Sequence, residues 1–186
     1  MASGVIGACW LGLFAYWLYA ARSAKAAVER LDWSERRRYV FPLVLGSVFL
    51  VQTFLGHGLD RRLLPDTAAM AGAGAGIAIL GCATAIWARR TLGGNWSGAV
   101  TLKQGHTLVR RGPYRWVRNP IYTGVLIMVL GTVFTTGRVG DFIGLALIVA
   151  GLWIKLKFEE GFMLRQFPLE YPIYQRQVRA LVPFLF

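Results

Sequence analysis

Five stretches of this chain run apolar for 17 to 21 residues each: Gly4–Ala21, Phe41–Leu59, Ala68–Ala88, Ile121–Gly137 and Asp141–Phe158. A helix needs about 20 apolar residues, with about 17 to 25 observed, to cross the hydrocarbon core of a bilayer. Inside that core every backbone N–H and C=O must be paired within the segment, so the spacing predicts an all-α, polytopic membrane protein of about five helices. The first stretch has neither a basic segment before it nor an A-x-A-type site after it, which argues against a cleaved signal peptide. Only Arg138-Val139-Gly140 separates the last two stretches, so they are expected to form a tight hairpin.

Composition agrees. Of the 186 residues 55% are hydrophobic and only 16% charged, with a net charge of +12. In a soluble domain such basicity points to nucleic acid. Here the apolar blocks point the positive charge toward anionic lipid or a charged small molecule instead. Cys9 and Cys82 lie inside apolar blocks and read as buried thiols.

The basic residues alternate in the connections. The first loop carries six Lys and Arg, the second two, the third seven and the fourth only Arg138, while the tail adds more. By the positive-inside rule the first loop, the third loop and the tail are expected on the cytoplasmic side, with the N-terminus outside. The third loop, Arg89–Pro120, has 32 residues. Unstructured loops of that length are usually functional or disordered, and this one is too rich in apolar and aromatic groups for disorder. A polar site is therefore expected where the third loop meets the tail.

Several local patterns compete for attention. "AGAGAGI", Ala71–Ile77, has the glycines of a nucleotide-binding loop but not the strand–turn–helix around it; within an apolar helix small residues serve close packing. His57 closes an apolar stretch, and Ser97 in "NWSG" reads as a turn residue. Neither these nor His106 stand at metal-ligand spacing, which argues against zinc or iron. Glu159 and Glu160 follow directly on the last apolar stretch, where negative charge opposes the helix dipole and favours a cationic partner. Lys155 and Glu159, four apart, share a helix face. An ammonium and a carboxylate presented together suit one anionic and one cationic molecule held side by side. The tail "FPLEYPIYQRQVRALVPFLF" reads as an interfacial anchor or lid.

The order "NWSG…GHTLVRRGPYRWVRNPIYTG", a helical hairpin, then "EE…F…EY…Y…V…LVPF" resembles the isoprenylcysteine carboxyl methyltransferase family. More broadly it is similar to the membrane methyltransferases that include the phospholipid N-methyltransferases. The likeness covers about Arg89–Phe186, roughly half of the chain. It implies S-adenosylmethionine as cofactor and a single membrane domain over 1–186, with three N-terminal helices in 1–88 and the cofactor loop, hairpin and tail in 89–186. Carried over by position, it assigns His106, Thr107, Leu108, Val109, Tyr114, Asn119, Pro120, Ile121, Tyr122 and Glu159 to cofactor binding. Asn119 stands where the family more often has histidine, and Lys155 where eukaryotic members place a substrate-binding arginine. Lys155 and Arg118 are the candidates for positioning substrate. Methyl transfer from a sulfonium needs positioning and exclusion of water more than a catalytic dyad. Prenylcysteine-like thioethers, phospholipid amines, quinone precursors and small thiols all fit as acceptors, with the bilayer as the other partner. Two other classes compete: an NADPH-dependent membrane reductase of the sterol type and a non-catalytic scaffold.

Overall fold

The structure, a computed structural model, describes residues 1–22, 27–57, 59, 61–95, 101–103 and 107–182, with 27–30, 95 and 101–103 described by backbone alone. Five long helices dominate it: α1 (Ala2–Ala21), α2 (Trp33–Phe54), α3 (Ala68–Leu92), α4 (Pro120–Thr136) and α5 (Val139–Gln166). A short α6 (Glu170–Gln177) follows. Two strands absent from the sequence reading, β1 (Ala27–Arg30) and β2 (Thr101–Lys103), pair antiparallel and join the first loop to the third.

The boundaries follow from caps as much as from hydropathy. α2 begins eight residues before its apolar run, because the Asp32 carboxylate accepts from the Ser34 amide at 3.1 Å and the Ser34 hydroxyl at 2.6 Å. Such an N-cap satisfies donors that the first turn leaves orphaned. α3 is capped likewise by Thr67, which accepts from the Met70 amide. α4 opens on Pro120, whose missing N–H costs nothing there, and stops at Gly137, held in the left-handed region at φ 64°. Asp141 then accepts from the Arg138 amide at 2.8 Å and the Thr136 hydroxyl at 2.6 Å, so α5 starts at once. α5 also runs eight residues past the apolar stretch, which puts Glu159 and Glu160 inside the helix rather than at its end.

Among the described residues three helices, α1, α3 and α5, are long and apolar enough to cross a membrane. α4 is apolar but has 17 residues, and α2 spends its first turns on Ser34–Arg38. Length and composition thus mark three spans where the sequence reading expects five.

The hairpin helices do not pack chiefly on each other. α4 lies along α3, where Gly81 faces Gly124 and Gly74 faces Gly131 seven residues on. A Cβ at Gly124 would stand 2.6 Å from the Ala85 amide nitrogen and 2.7 Å from the Gly81 carbonyl oxygen, so the two backbones touch directly. Of the "AGAGAGI" glycines only Gly74 sits in this seam; Gly72 and Gly76 meet nothing. α5 lies along α2 in the same way, through Gly46 and Gly144. In lipid, where tails are as apolar as leucine, such close approach supplies the association energy. α1 covers α3, with Leu13 packed in one cluster with Ala85, and the Trp10 indole donates to Thr132 at 3.2 Å. Cys9 and Cys82 are half-buried free thiols between these helices.

The connections sort to two ends. Leu63 and Leu64 donate to the Gly137 carbonyl, and Val139 to that of Arg61, so the second and fourth loops meet. At the other end the β1–β2 ribbon joins loops one and three, and the tail docks on loop three. All the strongly basic segments therefore share one end of the bundle.

Candidate functional site

At that basic end, residues 107–119 descend toward α4 and meet the last turns of α5. A 3-10 turn, Gly112–Arg115, folds under Pro113, and Gly112 takes φ 60° there, with Thr91 of α3 against it. This turn buries Tyr114 and leaves Arg111, Arg115 and Trp116 outside. Trp116 meets Trp87 edge-on, and Arg115 lies over its ring at 5.1 Å. That half of the stretch has the chemistry of an interfacial anchor.

The tail closes the site from the other side. Arg118 and Asn119 donate their amides to the Arg179 and Ala180 carbonyls at 2.8 and 3.0 Å, and Thr123 donates its hydroxyl to Leu181 at 2.7 Å. The Arg118 guanidinium reaches Glu160 Oε1 through Nε at 2.9 Å and Nη2 at 2.6 Å. Its Nη1 donates to the carbonyls of Gln175 and Val178. With side chains 11% and 9% exposed, Arg118 and Glu160 form a nearly buried pair that locks loop three, α5 and tail together. Arg118, a candidate for positioning substrate, is thus placed as a strut. Tyr174 donates its hydroxyl to the Tyr114 carbonyl, and Arg110 holds α6 through the Glu170 carbonyl at 2.9 Å. Burial raises the pKa of Tyr114 and of Tyr171, and pushes that of Tyr174 up to about 12 despite Arg118 and Arg110 nearby. All three phenols stay protonated near neutrality.

Beneath this lid lie the groups with the sharpest chemistry. Tyr122, in the first turn of α4, is buried, with its side chain beside that of Glu159. Glu159 Oε1 stands 3.8 Å from Lys155 Nζ. The ammonium lies 5.2 Å from the centre of the Tyr122 ring and 6.0 Å from that of Tyr39, which α2 supplies. Arg89, 2% exposed at the end of α3, braces the same region by donating to the Ala20 carbonyl at 2.5 Å and the Gly93 carbonyl at 2.7 Å.

Tyr114, Ile121 and Tyr122 are buried in one cluster with Val109 packed against it; Pro120 is buried, Asn119, Glu159, Lys155 and Leu108 are half-buried, and Thr107 is exposed. Asn119 uses its amide side chain to hold the Ala180 carbonyl at 3.3 Å, a bond that needs no titrating ring. His106 and Ser97 lie outside the described residues. His57 falls beyond the end of α2, exposed at the opposite end of the bundle. Tyr39 and Arg89 escaped the sequence reading, while Tyr171 and Tyr174 stood in the family pattern without a role of their own. A buried arginine at the end of an apolar helix was a usable signal; Tyr39, one tyrosine after a charged run, was not.

Residues 70–170 match the family model described as phospholipid methyltransferase, a span that covers over half the chain and carries α3, the loop and both hairpin helices. This chain belongs to the phospholipid methyltransferase family. The protein-S-isoprenylcysteine O-methyltransferase of Saccharomyces cerevisiae (strain ATCC 204508 / S288c) is 30% identical over 115 residues, covering 59% of this chain and 47% of the yeast protein. The uncharacterized protein YpbQ of Bacillus subtilis (strain 168) is 36% identical over 44 residues, 24% of this chain and 26% of that protein. Among solved structures, a eukaryotic intramembrane Ras methyltransferase, isoprenylcysteine carboxyl methyltransferase, superposes with a TM-score of 0.56 at 24% identity, over 83% of this chain and 55% of the other. At that identity the likeness bears on the fold. This phospholipid methyltransferase family member is an integral membrane protein, and it spans about half the length of the yeast relative.

Proposed function

We propose that the chain is an S-adenosylmethionine-dependent methyltransferase acting on a lipophilic acceptor at the cytoplasmic face of a membrane. The observation that carries this reading is the cation site itself. Tyr122 offers a ring face and Glu159 a carboxylate to the Lys155 ammonium, and the same groups would suit a sulfonium. Aromatic faces and carboxylates bind onium ions through quadrupole and charge attraction. Residues Thr107, Leu108, Val109, Tyr114, Asn119, Pro120, Ile121, Tyr122 and Glu159 would hold the cofactor; the family resemblance adds His106, which lies outside the described residues.

When bound, the cofactor supplies a methyl group on a positively charged sulfur leaving group. The protein's part is positioning. Glu159 and Tyr122 attract the cation, Tyr114 and Ile121 keep water out, and the Arg118–Glu160 lock holds the lid. A carboxylate or thiolate acceptor is already nucleophilic and releases no proton on methylation, so no general base is called for. Lys155 favours an anionic acceptor of the isoprenylcysteine carboxylate type over an amine, although as lysine it lacks the bidentate fork of arginine. Phospholipid amines are the second reading, favoured by the description of the family model. The basic end of the bundle, with the C-terminal tail, is assigned to the cytoplasmic side by its charge, which leaves the N-terminus outside.

Calorimetry in detergent tests the site. Glu159→Gln and Tyr122→Leu should each weaken S-adenosylmethionine binding by about tenfold, as loss of a charge-assisted or cation–π contact implies. Undiminished affinity in both variants would sink the assignment. Thermal stabilisation by NADPH but not by S-adenosylhomocysteine would favour a reductase, and stabilisation by neither a scaffold.

A further inference from the structure

We infer that Lys155 is the site's own placeholder cation: its ammonium occupies the position the cofactor's sulfonium takes, and cofactor binding releases it toward the acceptor. This deepens the methyltransferase reading and rests on it. Three helices build the box. Tyr122 comes from α4, Lys155 and Glu159 from α5, and Tyr39 from α2. The ammonium lies 3.8 Å from the Glu159 carboxylate, 5.2 Å from the Tyr122 ring centre and 6.0 Å from that of Tyr39.

A lysine and a glutamate four apart on a helix usually make a solvated surface pair of small effect. This pair differs because the Lys155 side chain is only 12% exposed and Tyr39 only 3%. Tyr39 is itself fixed by Phe158, at 6.4 Å between rings, and packs with Phe162. The lysine is therefore held over two rings from two other helices, in the same cage that would serve an onium ligand.

Two like charges cannot share that cage. At 5 Å and an effective permittivity of 20, their repulsion amounts to on the order of a hundredfold in affinity. The arriving cofactor must displace the ammonium from Tyr122 and Glu159, and the flexible four-carbon stem of lysine permits the move. Once displaced, the ammonium gives up its contact with the Glu159 carboxylate. An anionic acceptor takes that carboxylate's place, so cofactor and acceptor bind with positive coupling, and by linkage each raises the affinity of the other. Without cofactor the cage stays neutralised and the acceptor finds the lysine engaged.

The test is calorimetry in detergent with S-adenosylmethionine, which carries the sulfonium, and S-adenosylhomocysteine, a neutral thioether, on the full chain. Lys155→Met should tighten S-adenosylmethionine by about tenfold and S-adenosylhomocysteine by less than about twofold, since only the former competes for the cation site. Tyr39→Leu takes a ring from both cations, so it should weaken S-adenosylmethionine a few-fold in the Lys155→Met background and by clearly less with Lys155 present, where the lost ring also loosens the competing ammonium. A lysine acting only by long-range repulsion would give the same Tyr39→Leu loss in both backgrounds. If Tyr39→Leu does not fold, the contrast between the two ligands in Lys155→Met decides alone. Equal or weaker S-adenosylmethionine binding in Lys155→Met, with Glu159→Gln still damaging, overturns the placeholder and leaves the methyltransferase reading standing. Failure of the unaltered protein to bind either ligand overturns both.

Discussion

Replacing Arg118 by methionine should release the tail. The guanidinium makes two bonds to Glu160 Oε1, at 2.9 and 2.6 Å, and reaches the carbonyls of Gln175 and Val178, while both side chains are about nine-tenths buried. Arg118→Met strands the Glu160 carboxylate without its partner, and breaking a buried pair from one side costs about 3 to 5 kcal/mol. At about 1.4 kcal/mol per decade, the tail should open more often by roughly two to three and a half orders of magnitude. Glu160→Gln keeps an acceptor and two carbonyl contacts, so its cost should be nearer 1.5 to 3 kcal/mol, roughly that of a hydrogen bond to a charged group. The double variant Arg118→Met/Glu160→Met leaves no buried charge and should cost less than Arg118→Met alone. Trypsin provides the assay, because Arg176 and Arg179 lie on the tail and cleavage there tracks the open population when opening is fast. The reasoning is refuted if Arg118→Met is cut at these two arginines no faster than the unaltered protein. It also fails if the double variant is as labile as the sum of the single ones.

Gly124→Ala should lower the thermal midpoint in detergent, since its Cβ would press within 2.6 Å of the Ala85 backbone; overpacking of this kind costs about 1 to 3 kcal/mol. Gly72→Ala, where a Cβ meets nothing within 4 Å, should hold or raise it. Tyr174→Phe removes the bond to the Tyr114 carbonyl, worth about 1 kcal/mol, and should loosen α6 in the same proteolysis assay. Because burial lifts the Tyr174 phenol to about 12, the folded state favours its neutral form. Its contribution is intact below the unfolded value near 10 and is lost as pH rises from about 10 through 12. The alkaline fall in thermal midpoint should therefore be shallower in Tyr174→Phe.

Much of this arrangement was legible from hydropathy and charge. The apolar runs located the five long helices to within a few turns, and the basic loops sorted to one end as their alternation implied. Glu159 stood out because an acid after an apolar helix is costly without a cation. The errors lay at the ends of elements. Ser34–Arg38 looked like loop because charge conceals a helical start, yet the Asp32 cap nucleates α2 there. Glu159 and Glu160 seemed terminal because hydropathy falls at Phe158, whereas backbone hydrogen bonding carries α5 to Gln166. A helix end is set by who pairs the last amides, and composition reports that poorly.

The sequence by itself determined that this chain needs a bilayer-like environment and which segments carry charge, since both depend on the solvation of each residue in turn. It also marked Lys155 and Glu159 as candidates, because helix spacing places them on one face, and the family resemblance added Tyr122. Which groups meet across helices was decided only by tertiary structure. Tyr39 joins Lys155 because the glycine contacts set α2 directly against α5, and Arg118 serves as a strut because the tail folds back onto loop three. Such encounters depend on the geometry of close backbone approach between segments distant in sequence, and no local pattern of residues encodes that geometry.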